Sequence, residues 1–505
     1  MGSLFPQVKA HANQCAPDNS FAFDANGNSL APAGITYQKA TRQKELQFVQ
    51  AYMNQVYYWQ AQMPQVSPDE PAFAQGEHYL AVRGYLGASV IKERLPNGKF
   101  RDRFSDVRPI EQWQQTMEAD QKAGPGVTWA VGQAPAGGLV VRVARVSEAG
   151  PAAAAGVQRG DRLLAIRSGE GSEIVLANIQ PGSGDAMQLD LVMEGIEMGA
   201  PATLRFRNAA GQVRTLTLNG ARFPKQLVTG VKTLTPPSGA GKIGYLSIEA
   251  FQSPLEGQLK TAMERLKAEG VQDLVVDLRY NGGGLVDQSA QLAYMTADPA
   301  RSQGKLFSRF SFNEKMRPLE NLPDSQLGFI DKTTGDPGTG TTAGQALPNL
   351  GLRRVYVLTT QASCSASEEY INGLRGIDVE VVVIGDTTCG KPFVQIPQQN
   401  CGLAYLPVLG RALNAKGQGD YDEGIAPTCR VADDLSRPQG DANDPLMVAA
   451  LHHRQHGACP AGTDPASTAT KSLDTGAPAM RVLRSPLMEA SIVRPEDLRR
   501  PATAQ

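Results

Sequence analysis

The chain has 505 residues, with 49 Lys plus Arg against 50 Asp plus Glu and a formal net charge of −1 at pH 7. At roughly 100 to 200 residues per domain this makes about three structural units with ample material for a core. Near-neutrality argues against a nucleic-acid footprint or a polyanionic tail, and 52 Gly with 34 Pro are too few and too unperiodic for a collagen-like or wholly disordered chain.

The chain opens Met1-Gly2-Ser3 without the charged, apolar, small-residue order of a signal peptide, and reads as a scar joined to a mature, exported chain. Residues 1–35 are polar and aperiodic, a disordered lead-in. Between 36 and 122, Leu46, Val49, Met53, Val56, Trp59 and Met63 recur at spacings of three and four, and Trp113 and Met117 mark a second helix. This pattern predicts a small N-terminal helical domain whose aromatic residues are core.

From 123 to 222 the texture turns to short β runs separated by glycine: 139–146, 150–166, a helix near 186–198, and a hairpin over 202–218. From 223 to 459 strands alternate with helices. KIGYLSI, DLVVDL, RVYVLTT and VEVVVIG read as strands, and helices are expected from Pro254, near 286–295 and over 366–376. Such alternation predicts an α/β domain with a mainly parallel sheet. A Thr-, Gly- and Pro-rich insertion near 300–350 reads as a mobile loop or lid, and 460–505 as a disordered tail. No stretch approaches the roughly 18 apolar residues of a membrane span.

The cysteines, Cys15, Cys364, Cys389, Cys401, Cys429 and Cys459, contain no CxxC pair and no zinc spacing, so no metal site is expected. Their even number fits disulfides in an oxidising compartment. Sequence alone leaves the 15 complete pairings open; Cys401 with Cys429, both in Pro- and Gly-flanked segments, is a guess among them.

Three segments carry chemistry where strands end. Asp277-Leu278-Arg279-Tyr280-Asn281-Gly282-Gly283-Gly284 lets backbone N–H groups face a ligand without Cβ obstruction, yet fits neither nucleotide fingerprint. Ser363-Cys364-Ser365-Ala366-Ser367-Glu368 places a serine at a strand-to-helix elbow, where Ser365 with Glu368 is equally a capping box. Lys391 and Gln395 lie four apart after VEVVVIG, and an isolated loop lysine is usually solvated. The five histidines, His11, His78, His452, His453 and His456, adjoin none of these segments, so a Ser-His-Asp triad has no obvious imidazole.

The stretch Pro151-Ala152 to Gly156-Val157, with Gly160-Asp161-Arg162-Leu163-Leu164, resembles bacterial PDZ domains. The resemblance implies β-augmentation by an extended peptide, with Gly124, Gly126, Val127 and Trp129 as peptide-binding residues, although Thr128 replaces the usual second glycine. Taken together, the three chemical segments resemble the C-terminal processing, or tail-specific, serine peptidase family from about residue 75 to 435. That resemblance implies a crotonase-like, ClpP-like βα core. It also implies Ser365 as nucleophile, Lys391 as general base, Gln395 as the residue orienting the lysine, and Gly283 or Gly284 with Ala366 as the oxyanion hole. Cys364 and Cys389 stand where Ala or an aromatic is more usual. A lysine base must shed a proton near neutral pH, which burial beside Pro392, Phe393 and Val394 favours.

The expected function is an exported, periplasmic serine endopeptidase without cofactor, lipid-anchored in its precursor or soluble. It acts on peptides or unfolded proteins, alone or as a homo-oligomer. Two alternatives stand beside it: an inactive PDZ scaffold, and a crotonase-like acyl-transfer enzyme.

Overall fold

The apolar stripe that begins at Leu46 forms helix α1 (Arg42–Val56), started by Thr41, whose hydroxyl accepts the Lys44 N–H. The structure, a computed structural model, describes residues 5–134, 137–179, 183–197, 199–236, 241–335, 340–463, 481–482 and 491–492. Helix α2 (His78–Ser89) is capped by the Glu77 carboxylate, and α3 (Ile110–Met117) buries Trp113 and Met117. Residues 36–122 do not close a core of their own. Leu46, Val49 and Tyr85 share one apolar cluster with Leu274, Tyr370 and Phe393 of the α/β unit, so this segment is a wall of that unit.

The expectation of a disordered lead-in is corrected over the described part of it. Phe5 and Val8 are buried in the same cluster. Asn19 donates to Glu45 at 3.0 Å and to the Cys401 carbonyl at 2.9 Å, and Cys15 is disulfide-bonded to Cys401. The two ties to Cys401 span 382 and 386 residues, so local periodicity carries no sign of them. The other disulfides are Cys364–Cys389 and Cys429–Cys459, which overturns the pairing of Cys401 with Cys429. Loop-like flanks say that a cysteine is accessible to a partner, not which partner lies near.

Residues 123–222 form strands β1 (Val127–Gln133), β2 (Leu139–Val146) and β3 (Arg162–Ser168), helix α4 (Gly184–Glu197), and strands β4 (Ala202–Arg207) and β5 (Val213–Leu218). Their order in the sheet is β5-β4-β3-β2-β1, antiparallel throughout. Trp129, Val143, Leu163, Leu204 and Phe206 make a separate core. The outer edge of β1 is taken by Arg481–Val482, paired antiparallel with Val131 and Ala130.

The α/β unit contains β6 (Val228–Leu234), β7 (Lys242–Ile248), α5 (Leu255–Ala268), β8 (Val271–Asp277), α6 (Val286–Thr296), β9 (Arg354–Thr359), α7 (Ala366–Gly376), β10 (Glu380–Gly385), β11 (Cys429–Arg430) and α8 (Pro445–His456). The six-stranded sheet has the order β6-β7-β8-β9-β10-β11, with only β6 and β7 antiparallel. Strands covered on both faces read as continuous apolar runs, with alternate residues entering opposite layers. Accordingly Leu274, Val276, Val355 and Val357 pack with α5 to α7, while Val275, Tyr356, Leu358 and Val382 pack with Leu446 and Met447 of α8.

The 300–350 insertion is also more ordered than expected. Leu306–Phe312 pairs with Gly410–Leu413 and Gln326–Gly328, and the Gly335 N–H reaches the Glu256 carboxylate at 3.0 Å. The run LFSRFSF carries a strand's apolar residues, but the Thr-, Gly- and Pro-rich stretch that follows set the reading of the whole insertion. Residues 336–339 lie outside the described residues, as does most of the tail beyond 463, whose described parts are the two-residue strands Arg481–Val482 and Ser491–Ile492. Among the described residues no helix is long and apolar enough to cross a membrane.

The loop leaving β8 is pinned by Arg279, which has 1% exposure. Its guanidinium meets Asp277 and Asp444 at 2.6 Å each and Asp433 at 2.8 Å. Burial raises the Asp433 carboxyl, but Arg159 and Arg279 outweigh it and hold it below the ordinary value of 3.8. A carboxyl lowered in the folded state stabilises above its unfolded pKa, and that contribution fades as pH falls through the lower folded value. Arg279→Ala leaves buried carboxylates facing one another. It should lower the unfolding free energy by about 3–5 kcal/mol at pH 7, read by urea denaturation; a loss under about 1 kcal/mol would show the cluster to be dispensable.

Candidate active site

All three chemical segments converge at the C-terminal ends of β8, β9 and β10, where the switch from strand to loop frees backbone groups. Ser365 stands at the N-cap of α7 with φ 63° and ψ −117°. This left-handed region is costly for a residue with a Cβ and persists only where neighbours over-determine it. Several bonds do so. The Cys364 N–H donates to the Asn281 carbonyl at 3.0 Å, the Ser363 hydroxyl to the Leu278 carbonyl at 2.8 Å, and the Ser367 hydroxyl to the Asn281 carbonyl at 3.1 Å. The glycine loop is thereby laced to the serine elbow.

Gly283 shows how close that contact is. A Cβ there would lie 2.6 Å from the Ser365 Cβ and 3.0 Å from the Ala366 nitrogen, and its φ is +102°. Its own N–H is given to Asn281 Oδ1 at 2.9 Å. Of the two glycines expected to face an oxyanion, Gly283 is thus engaged in this conformation. Gly284 pairs in parallel with Ser491, and Leu285 with Ile492. Ala366 is the first residue of α7, whose opening amides lack intrahelical acceptors.

Glu368 does more than cap the helix. Its Oε2 accepts the Ser365 N–H at 2.8 Å, as the capping-box reading expects, and also the Lys391 N–H at 2.8 Å. Its Oε1 accepts the Gly390 N–H at 2.8 Å and the Thr388 hydroxyl at 2.5 Å. Burial pushes this carboxyl above its ordinary value, against the pull of the Thr388, Lys391, Ser365 and Gly390 donors.

Lys391 is fully buried, not solvated. Its Nζ donates to Gln395 Oε1 at 2.7 Å and sits 5.1 Å from the centre of the Phe104 ring. Gln395 Nε2 donates to the Phe104 carbonyl at 3.0 Å and to the Leu406 carbonyl, which fixes the amide with its oxygen toward the lysine. Arg103 bonds the carbonyls of Cys389 and Gly390 at 2.8 and 3.0 Å from the other side. A cavity of about 360 Å³ adjoins, lined by Leu86, Phe104, Trp113, Met117 and Gln395 among others.

Glu368 and Asn281 were readable only as a cap and as the residue before a glycine run. Arg103 and Phe104 leave no local signal, since their partners lie nearly 300 residues on. The histidines fall elsewhere: His78 bonds Glu45, His453 packs edge-on to Tyr356, and His452 faces His456. Cys364, Glu368 and Cys389 bring ligand-type atoms together, but sulfurs joined to each other offer no thiolate to a metal.

In the β-rich unit, Gly124 and Gly126 have φ of 110° and 75°. The Pro125 and Gly126 carbonyls accept the Ala152 and Ser147 N–H groups. Val127 opens β1, and the Trp129 indole stacks on Phe206 in the core. What Trp129 presents at the β1 edge is therefore backbone.

Residues 242–431 match the family model described as Peptidase family S41. A probable CtpA-like serine protease of Staphylococcus epidermidis is 29% identical over 193 residues, 38% of this chain and 34% of that protein. A probable CtpA-like serine protease of Staphylococcus aureus is 28% identical over 159 residues, 32% of this chain and 27% of that protein. The matched stretch thus spans about a third or less of these curated relatives. The crystal structure of a putative S41 protease from Bacteroides fragilis shares the fold, with a TM-score of 0.57 over 84% of this chain and 99% of that one at 22% identity. The resemblance to the C-terminal processing serine peptidases is borne out: the stretch of this chain that matches Peptidase family S41 lies within the α/β unit that carries the three chemical segments.

Proposed function

We propose that this protein is a serine endopeptidase cleaving exposed or C-terminal peptide segments with Ser365 as nucleophile and Lys391 as general base. The observation that carries the reading is the shared Glu368 oxygen, which accepts the backbone N–H of both residues at 2.8 Å. Removal of Lys391 from water disfavours its ammonium form. Neutral Lys391 takes the Ser365 proton as the hydroxyl oxygen attacks a peptide carbonyl. The proton then passes to the departing amine, and water releases the acyl-enzyme. Gln395 holds the Nζ in place, and the N–H groups of Ala366 and of Gly284 or Gly283 face the developing oxyanion.

Two features favour a peptide over a thioester substrate. Extended backbone already lies on the glycine strand, as Ser491–Ile492 against Gly284–Leu285, and on the edge of β1, as Arg481–Val482. β-Augmentation at both places is the recognition an extended peptide uses, with the β-rich unit acting as a PDZ domain. The three disulfides suit an exported, oxidising setting such as the periplasm.

Ser365→Ala and Lys391→Ala should each lower casein cleavage by at least about 10³-fold with the circular-dichroism melt preserved; retained activity in Lys391→Ala would overturn the dyad. Gly283→Ala should be as inactive, because its methyl group meets the Ser365 Cβ; wild-type turnover would show that the loop stands elsewhere during catalysis. In the wild type, kcat/KM should rise with pH, because the base acts only as the free amine. Lys391→Arg, charged throughout, should be inactive at every pH; a stopped assay from pH 5 to 10 reads both.

A further inference from the structure

One covalent bond in the site has no part in the chemistry above. Cys364 immediately precedes Ser365, and Cys389 lies two residues before Lys391. Their disulfide joins the two segments with a Cα–Cα distance of 5.1 Å, and both residues are buried. The segments it joins differ in regularity. Ser365 begins a helix, whereas residues 386–392 form an irregular connection between β10 and the short strand Phe393–Val394. Loops of this kind drift unless held.

Hydrogen bonds hold the 386–392 connection at several points, among them the Thr388 N–H to the Ile425 carbonyl, Arg103 to the Cys389 and Gly390 carbonyls, and the Ala412 N–H to the Pro392 carbonyl. The Cys389 N–H reaches the Ser363 carbonyl at 3.0 Å, and the Gly390 and Lys391 N–H groups reach Glu368. Those last two depend on a buried carboxylate whose charged form is disfavoured by burial. The sulfur bridge does not depend on charge. It also anchors Cys364, whose neighbour Ser365 must be kept at a positive φ. Neither remaining disulfide touches these segments: Cys15–Cys401 fastens the N-terminal segment, and Cys429–Cys459 fastens β11 to the chain after α8.

We propose that Cys364 and Cys389 are a positioning pair, whose disulfide sets Ser365 relative to Lys391, so that peptide cleavage runs at full rate only while this bond is formed. The proposal rests on the Ser365–Lys391 reading. Opening the bond with a dithiol is balanced: each sulfur gains one electron and one proton, and the dithiol loses two of each as it closes to its own disulfide. The effect falls on turnover and not on affinity, because the bond fixes reacting groups and lines no peptide edge.

The test compares wild type, Cys364→Ala/Cys389→Ala, and the control Cys429→Ala/Cys459→Ala, each assayed well below its melting temperature. The expected result is a kcat lower by about 10- to 100-fold in the first variant, since displacing a reacting group by about 1 Å costs up to about 10²-fold. KM should stay within about twofold, fluorophosphonate labelling of Ser365 should slow in parallel, and the control should keep its kcat. An unchanged kcat in Cys364→Ala/Cys389→Ala, or an equal loss in the control, overturns the proposal.

Should the double variant not fold, the wild type is titrated with dithiothreitol under native conditions while mass spectrometry follows each cysteine pair. Loss of kcat tracking the 364–389 pair supports the proposal, and full activity with that pair opened refutes it. Wild-type protein that shows no Ser365-dependent cleavage would instead refute the dyad reading itself.

Discussion

A carboxylate removed from water must find donors, and where it finds them decides how the surrounding chain is arranged. Glu368 is fully buried, and its donors come from the helix that it caps and from the 386–392 connection. Satisfying one side chain therefore draws the end of β9 and the end of β10 to a single point. The parallel pairing of those strands already brings their ends near; Glu368 converts nearness into register. Helix capping, ordinarily a local matter of secondary structure, here becomes the means by which serine and lysine segments meet.

The other constraints radiate from that point. Asn281 joins the glycine loop to the serine elbow through its carbonyl and holds Gly283 with its side chain. Arg279 fastens the base of the same loop to three aspartates. One of these, Asp433, also meets Arg159 of the β-rich unit at 2.7 Å, and Arg159 reaches the Tyr280 hydroxyl at 2.7 Å. A displacement of the β-rich unit is thus felt two residues from the glycines. On the opposite side Phe104 and Arg103, from the N-terminal segment, close over Lys391 and its loop.

Much of this architecture was legible because it is written in short periods. The runs KIGYLSI, DLVVDL and VEVVVIG became sheet strands, and Leu259 and Met263 became the buried face of α5. Ser365 could be singled out at a strand-to-helix elbow and Lys391 and Gln395 after a strand followed by Gly385 and Gly390, but only the family resemblance raised them above a helix cap and a solvated loop lysine. What escaped notice was long-range. Nothing near Cys15 names Cys401, nothing near Phe104 names Gln395, and the polar texture of 1–35 conceals Asn19 and Phe5 as buried residues. The helical segment looked separable because amphipathic helices announce an apolar face without saying what covers it.

The Cys15–Cys401 bond spans 386 residues of chain and turns most of the molecule, topologically, into a ring. The surface connections of such a chain are the places where a backbone cut can fall. One cut anywhere between residues 15 and 401 opens the ring without dividing the molecule, since the two pieces remain joined through sulfur and through the packing of Phe5 and Val8 in the common core. Durability of this kind is indifferent to how many interactions favour the folded state; it follows from connectivity alone.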